Sequence, residues 1–127
     1  MDYLLDASAV LALLHEEPGA ELVKEALAGS AITSVNACEV LGVLVRNGCS
    51  LSDASVIFEK LHIPVLAFTY AQAQLSAAML LLKVSRPLSL GDRACLGAAV
   101  ESKRTVLTAE RFWSELDLDD TLIENIR

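Results

Sequence analysis

The chain has 127 residues, 54% of them hydrophobic, a composition that excludes disorder and fits one domain, residues 1–127, with its own core. Ten Lys and Arg face 17 Asp and Glu, a formal charge of −7, so the chain as a whole repels polyanions, and a nucleic-acid partner must be met through a local basic patch or through metal ions. The apolar runs, Ala77 to Leu82 among them, stop far short of the ~20 residues a membrane span needs, and an acid, Asp2, stands where a signal peptide carries positive charge.

Tyr3-Leu4-Leu5 reads as a brief strand ending at Asp6. Ala9 to Leu14 reads as helix, broken by Pro18-Gly19. Glu21 to Ala28 is a second helix with Leu22, Val23, Ala26 and Leu27 on its apolar face, and Gly29 as its C-cap. Ala31-Ile32-Thr33 is a strand. Val35 to Arg46 is a helix apolar nearly all round, a pattern that predicts burial, closed by Asn47-Gly48. Ser52 to Leu61 is helix and Pro64 to Phe68 strand. Thr69-x-x-Gln72 is a capping box opening a helix to about Val84. After the Arg86-Pro87 break, Ser89-x-x-Asp92 is a second box, opening a helix to about Lys103. Thr105 to Thr108 is a strand, Arg111 to Leu116 a short helix and Thr121 to Ile126 a last strand. This alternation predicts an α/β fold, a largely parallel sheet covered by helices on both faces. Sites in such folds form beyond the carboxyl ends of the strands, where the strand order reverses.

Four acids stand at or near those ends or in first helical turns: Asp6, Glu39, Asp92 and Glu110. Asp6 and Glu39 each interrupt an apolar stretch, and no Lys or Arg lies close to either in sequence. A buried carboxylate is paired, protonated or bound to a cation, and packed carboxylates repel unless a cation intervenes. Hard oxygen donors with no imidazole at metal spacing suit Mg²⁺ or Mn²⁺ rather than zinc. Each acid also has an ordinary structural use: Asp6 as a helix cap, Glu39 as a capping partner of Asn36, Asp92 as the second half of its box, Glu110 as a loop acid. The conjunction of all four points to function. Cys38, Cys49 and Cys95 form no C-x-x-C pair and read as reduced, small buried hydrophobes of a cytoplasmic chain. His15 and His62 read as helix-end and turn residues, and Phe112 and Trp113 as core.

Leu4-Leu5-Asp6-Ala7-Ser8-Ala9-Val10 resembles the opening of PIN domains. Ser34-Val35 through Glu39-Val40-Leu41 resembles their second acidic element, Leu88 through Ala99 with its Gly91-Asp92-Arg93 is similar to the third, and Val106 through Trp113 to the fourth. The resemblance spans nearly the whole chain and is greatest to the short bacterial VapC-type toxins. It implies a three-layer α/β/α sandwich and a metal-dependent ribonuclease acting on RNA, with Asp6, Glu39 and Asp92 as central Mg²⁺ ligands and Mn²⁺ as a substitute. It further implies a homodimer inhibited by a cognate VapB-type antitoxin. The fourth acid departs from the family's usual T-x-D, since Glu110 follows Thr108. Arg86 and Arg93 bracket the third motif and read first as a loop cation and a solvated helix residue, with phosphate contact as the alternative, and Ser8 and Thr108 serve equally as helix cap and strand end or as supports for the carboxylates. A competing expectation is a non-catalytic or signalling α/β domain that binds Mg²⁺ at strand-end carboxylates.

Overall fold

Short runs of apolar residues pair side by side into a sheet whose central strands bury both of their faces. In the computed structural model, which describes residues 2–127, β1 (Tyr3–Leu5), β2 (Ser30–Thr33), β3 (Val65–Leu66), β4 (Thr105–Thr108) and β5 (Ile123–Asn125) lie in the order β3-β2-β1-β4-β5. Every pairing is parallel. Alternation along the central strands divides the core. Leu5, Ile32 and Leu107 pack into a cluster with α1 (Ala7–Leu14), α2 (Ala20–Ala26), α3 (Ser34–Arg46) and α4 (Leu51–Glu59). Leu4, Ala31 and Val106 pack into a second cluster with Met79, Trp113 and α6 (Leu90–Ser102). The result is the expected α/β/α sandwich, with the sheet wholly parallel.

Helix α5 (Tyr70–Ala78) lies against α6, and Gly97 makes that approach possible: a side chain there would collide with Ser76 and the backbone of Gln72 on α5. Both sequence-predicted capping boxes are closed by their two hydrogen bonds, Thr69 with Gln72 and Ser89 with Asp92. Gly19 takes a φ of 98° at the break before α2, a conformation that costs glycine little.

Several expected boundaries move, each for a physical reason. The helix from Thr69 ends at Ala78 and tightens into a 3₁₀ turn over Met79–Leu81. Met79 is buried but Leu80 and Leu81 are 68% and 86% exposed, so too little apolar surface is buried in succession to carry the helix on toward Val84. Helix α2 gives way to a 3₁₀ turn, Leu27–Gly29, so Gly29 lies inside a turn rather than capping a helix. Leu22 is exposed, not part of the buried face. The strand expected over Pro64 to Phe68 pairs only at Val65 and Leu66, at a sheet edge with one neighbour. Helix α3 is not buried all round: it buries Asn36, Ala37, Val40 and Leu44, while Cys38, Glu39 and Val45 face solvent. Of the cysteines, Cys95 alone is fully buried, and Cys38 is exposed. No helix among the described residues is long and apolar enough to cross a membrane.

Candidate metal centre

The chain builds β2 and β3 to one side of β1, then β4 and β5 to the other. The carboxyl ends of β1 and β4 are therefore neighbours at the point where the order reverses, the place where α/β sheets bind ligands. Asp6 follows β1 directly, and its backbone N–H donates to the Leu107 carbonyl at 3.0 Å. It occupies the N-cap position of α1 yet makes no side-chain cap bond. Its carboxylate, 3% exposed, instead turns across the sheet end. Ser8 Oγ donates to Oδ2 at 2.6 Å and Thr108 Oγ1 donates to the same oxygen at 3.0 Å. Both hydroxyls are themselves held, because Ser8 Oγ accepts from the Ala109 N–H and Thr108 Oγ1 from the Glu110 N–H.

Glu39 reaches the same region from α3. The residue is exposed as a whole, but its carboxyl end lies against Gly91 at the start of α6. Asn36 Nδ2 donates to its Oε1 at 2.7 Å. Asp92, in the first turn of α6, completes its capping box, with the Ser89 N–H donating to Oδ2 at 2.9 Å. The cap and a place in the site are thus compatible uses of one residue. Each of the three carboxylates is tethered through one oxygen, and the second oxygen of each accepts no hydrogen bond among the described residues.

The electrostatics join these three acids. Burial pushes the Asp6 carboxyl up to about 7 from 3.8, with the Asp92 and Glu39 charges adding to the rise and the Ser8 and Thr108 hydrogen bonds opposing it. Glu39 is raised by the covering of its carboxyl end and by the Asp92 charge, against the Asn36 bond. The thiol of Cys95 is pushed well up by burial and by the charges of Asp6, Asp92 and Glu39. One buried neutral thiol therefore feels all three. No Lys or Arg among the described residues is among the groups that shift Asp6 or Glu39, and the ion pair between Arg127 and Glu17 involves none of the three.

Glu110 stands apart. It is half-buried beyond β4, with its carbonyl accepting from Asn125 Nδ2 at 3.0 Å, and its charge is not among those acting on Asp6, Glu39 or Cys95. As placed, no group of three or more His, Cys, Asp or Glu side chains among the described residues closes around a metal position. The donor chemistry nonetheless fits a hard divalent cation: carboxylate oxygens that repel one another, each with a free acceptor and no compensating base.

Of the two arginines, Arg86 lies 4.7 Å over the Phe112 ring, a cation–π contact, and Arg93 has its Nε buried with no hydrogen-bond partner. Trp113 is fully buried, in the core as expected. Gly91 carries no sequence signal of its own beyond a glycine inside a helix, and its contact with Glu39 was not foreseeable from the chain.

The sequence model of the PIN domain matches residues 3–118. The chain belongs to the PIN-domain family. No curated protein sequence matches it. Among solved structures, the DNA-bound VapBC of Salmonella typhimurium is similar at 16% identity and a TM-score of 0.76, covering 100% of this chain and 99% of that one. A toxin–antitoxin complex from Klebsiella pneumoniae is similar at 16% identity and 0.73, covering 99% and 98%. A sarcin-ricin loop cleaving VapC toxin of Mycobacterium tuberculosis is similar at 14% identity and 0.72, covering 95% and 99%. This PIN domain thus shares the fold of VapC toxins over its length.

Proposed function

We propose that this PIN domain is a divalent-metal-dependent endoribonuclease that hydrolyses RNA phosphodiester bonds, and the toxin of a VapBC-type pair. The observation that carries the reading is the buried Asp6 carboxylate, raised to about 7 with the charges of Asp92 and Glu39 adding to the rise and no Lys or Arg among the groups that shift it. Asp6, Glu39 and Asp92 are the proposed ligands of Mg²⁺ or Mn²⁺, with Glu110 contributing from the rim. Such an ion supplies positive charge for an anionic phosphate and acidifies water. Ser8 and Thr108 hold Asp6 in one orientation, so the acceptor it presents is preorganised. The conflict between a chain of charge −7 and an anionic substrate is resolved locally at this pocket.

The Klebsiella and Salmonella structures are a toxin–antitoxin complex and VapBC, which supports a VapB-type antitoxin as the partner here. A cationic side chain, best an Arg, entering the acidic pocket is the complementary means of inhibition. An apolar groove lined by Ala37, Cys38, Leu41, Val45, Leu51 and Val65 supports a homodimer formed over α3 and α4. The cytoplasm, with its reduced thiols, is the proposed location.

The reading is tested by incubating the purified chain with total RNA, with and without Mn²⁺, and mapping the cut ends. Cleavage is expected with Mn²⁺ or Mg²⁺ and is expected to stop in excess EDTA. Undiminished cleavage in EDTA refutes the metal requirement, and intact RNA in saturating Mn²⁺ refutes the ribonuclease.

A further inference from the structure

Glu39 is the least enclosed of the three central acids, yet its carboxylate is held by a side chain from the protein interior. Asn36, one helical turn before it, is fully buried. Its Oδ1 accepts from Thr33 Oγ1 at 2.6 Å, and the two hydrogens of its Nδ2 are divided between Glu39 Oε1 at 2.7 Å and the Gly91 carbonyl at 3.0 Å. The orientation of the amide is dictated by chemistry: a carboxylate and a carbonyl both need a donor, and the hydroxyl supplies one. One side chain therefore spans the end of β2, the carboxylate on α3 and the first turn of α6. Gly91 also lies directly against that carboxylate. A Cβ at this position would collide with all three atoms of the Glu39 carboxyl group. Gly91 lies in the helix without a positive φ, so its backbone does not require glycine.

An exposed glutamate contributes little to the core, so a buried amide and a vacant Cβ position devoted to it serve where its carboxylate stands. We infer that Asn36 and Gly91 are positioning residues for Glu39, the amide pulling its carboxylate toward α6 and the missing side chain admitting it beside Asp92, and that together they set the affinity of the centre for a divalent cation. This rests on the metal-centre reading above.

Gly91→Ala isolates the effect. Alanine is the better helix former, and the three atoms nearest to its Cβ all belong to the end of the Glu39 side chain. The variant keeps or raises its melting temperature in EDTA. Mn²⁺ binding by the RNA-free chain, read as loss of the free-ion electron paramagnetic resonance signal, weakens by roughly 10- to 100-fold. Glu39→Gln loses a similar factor, and adding Gly91→Ala to it costs nothing more, because the two act through one carboxylate. Asn36→Ala melts lower and shows the same Mn²⁺ loss, which Glu39→Gln likewise absorbs. Parent-like Mn²⁺ affinity in Gly91→Ala, or an equal further loss in the Glu39→Gln background, overturns the inference while leaving the metal centre standing. If the parent chain binds no Mn²⁺, the metal-centre reading fails and this inference with it.

Discussion

Replacing Asp6 with Asn keeps the shape of the side chain and an oxygen for Ser8 and Thr108, and removes only the charge. In the folded chain the carboxyl titrates at about 7, against 3.8 for the free group. Between these values the folded state holds a proton that the unfolded state has released. Stability conferred by the neutral carboxyl is therefore full below about 4, declines as pH rises toward about 7, and is level above it. The rise from 3.8 to about 7, at ~1.36 kcal/mol per pH unit, amounts to ~4 kcal/mol across the whole window. Asn carries no such burden. In EDTA at pH 8, Asp6→Asn is expected to be more stable than the parent by on the order of 2–4 kcal/mol, a gap that closes toward pH 4. Urea unfolding followed by fluorescence measures it directly, since Trp113 is the one tryptophan and is fully buried. Adding Mn²⁺ at 100 times its dissociation constant should return ~2.7 kcal/mol to the parent and little to the variant. A gap of equal size at pH 4 and pH 8 refutes the argument that Asp6 is destabilised by its charge.

Glu110→Ala should raise the Mn²⁺ needed for half-maximal RNA cleavage by about 10- to 100-fold yet leave cleavage at saturating Mn²⁺, whereas Asp6→Ala should not be rescued. An equally dead Glu110→Ala would make Glu110 a primary ligand. Val45, 44% exposed in the α3 groove, should convert a dimer to a monomer when replaced by Glu, read by sedimentation velocity at micromolar concentration. A parent chain that already sediments as a monomer removes the homodimer.

Strand and helix order was legible because it is carried by local chemistry. Both capping boxes use side chains three residues apart, and Asp6 ends its strand within one residue of the apolar run. Apolar residues at Pro64 to Phe68 say nothing about how many partners a strand finds, and only Val65 and Leu66 of them pair. Glu39 was expected in a buried helix because composition cannot show that Cys38 and Val45 face outward beside it. The centre itself was legible as a set of acids but not as a ranking. Asp6, Glu39 and Asp92 acting on one another, with Glu110 apart, depends on how α3 and α6 meet. That meeting turns on Asn36 donating to a carbonyl 55 residues away.

The hydrogen bond from Thr108 to Asp6 joins residues 102 apart in the chain, and β1 gains its β4 neighbour only through residues 105–107. A contact of that span forms late, since its closure entropy precedes its reward. During synthesis the first acid is among the first residues made, while the hydroxyl that orients it is among the last. A growing chain can assemble α1 to α4 against half a sheet, but its Asp6 then faces an open edge. The first carboxylate is thus oriented only once the fourth strand is in place.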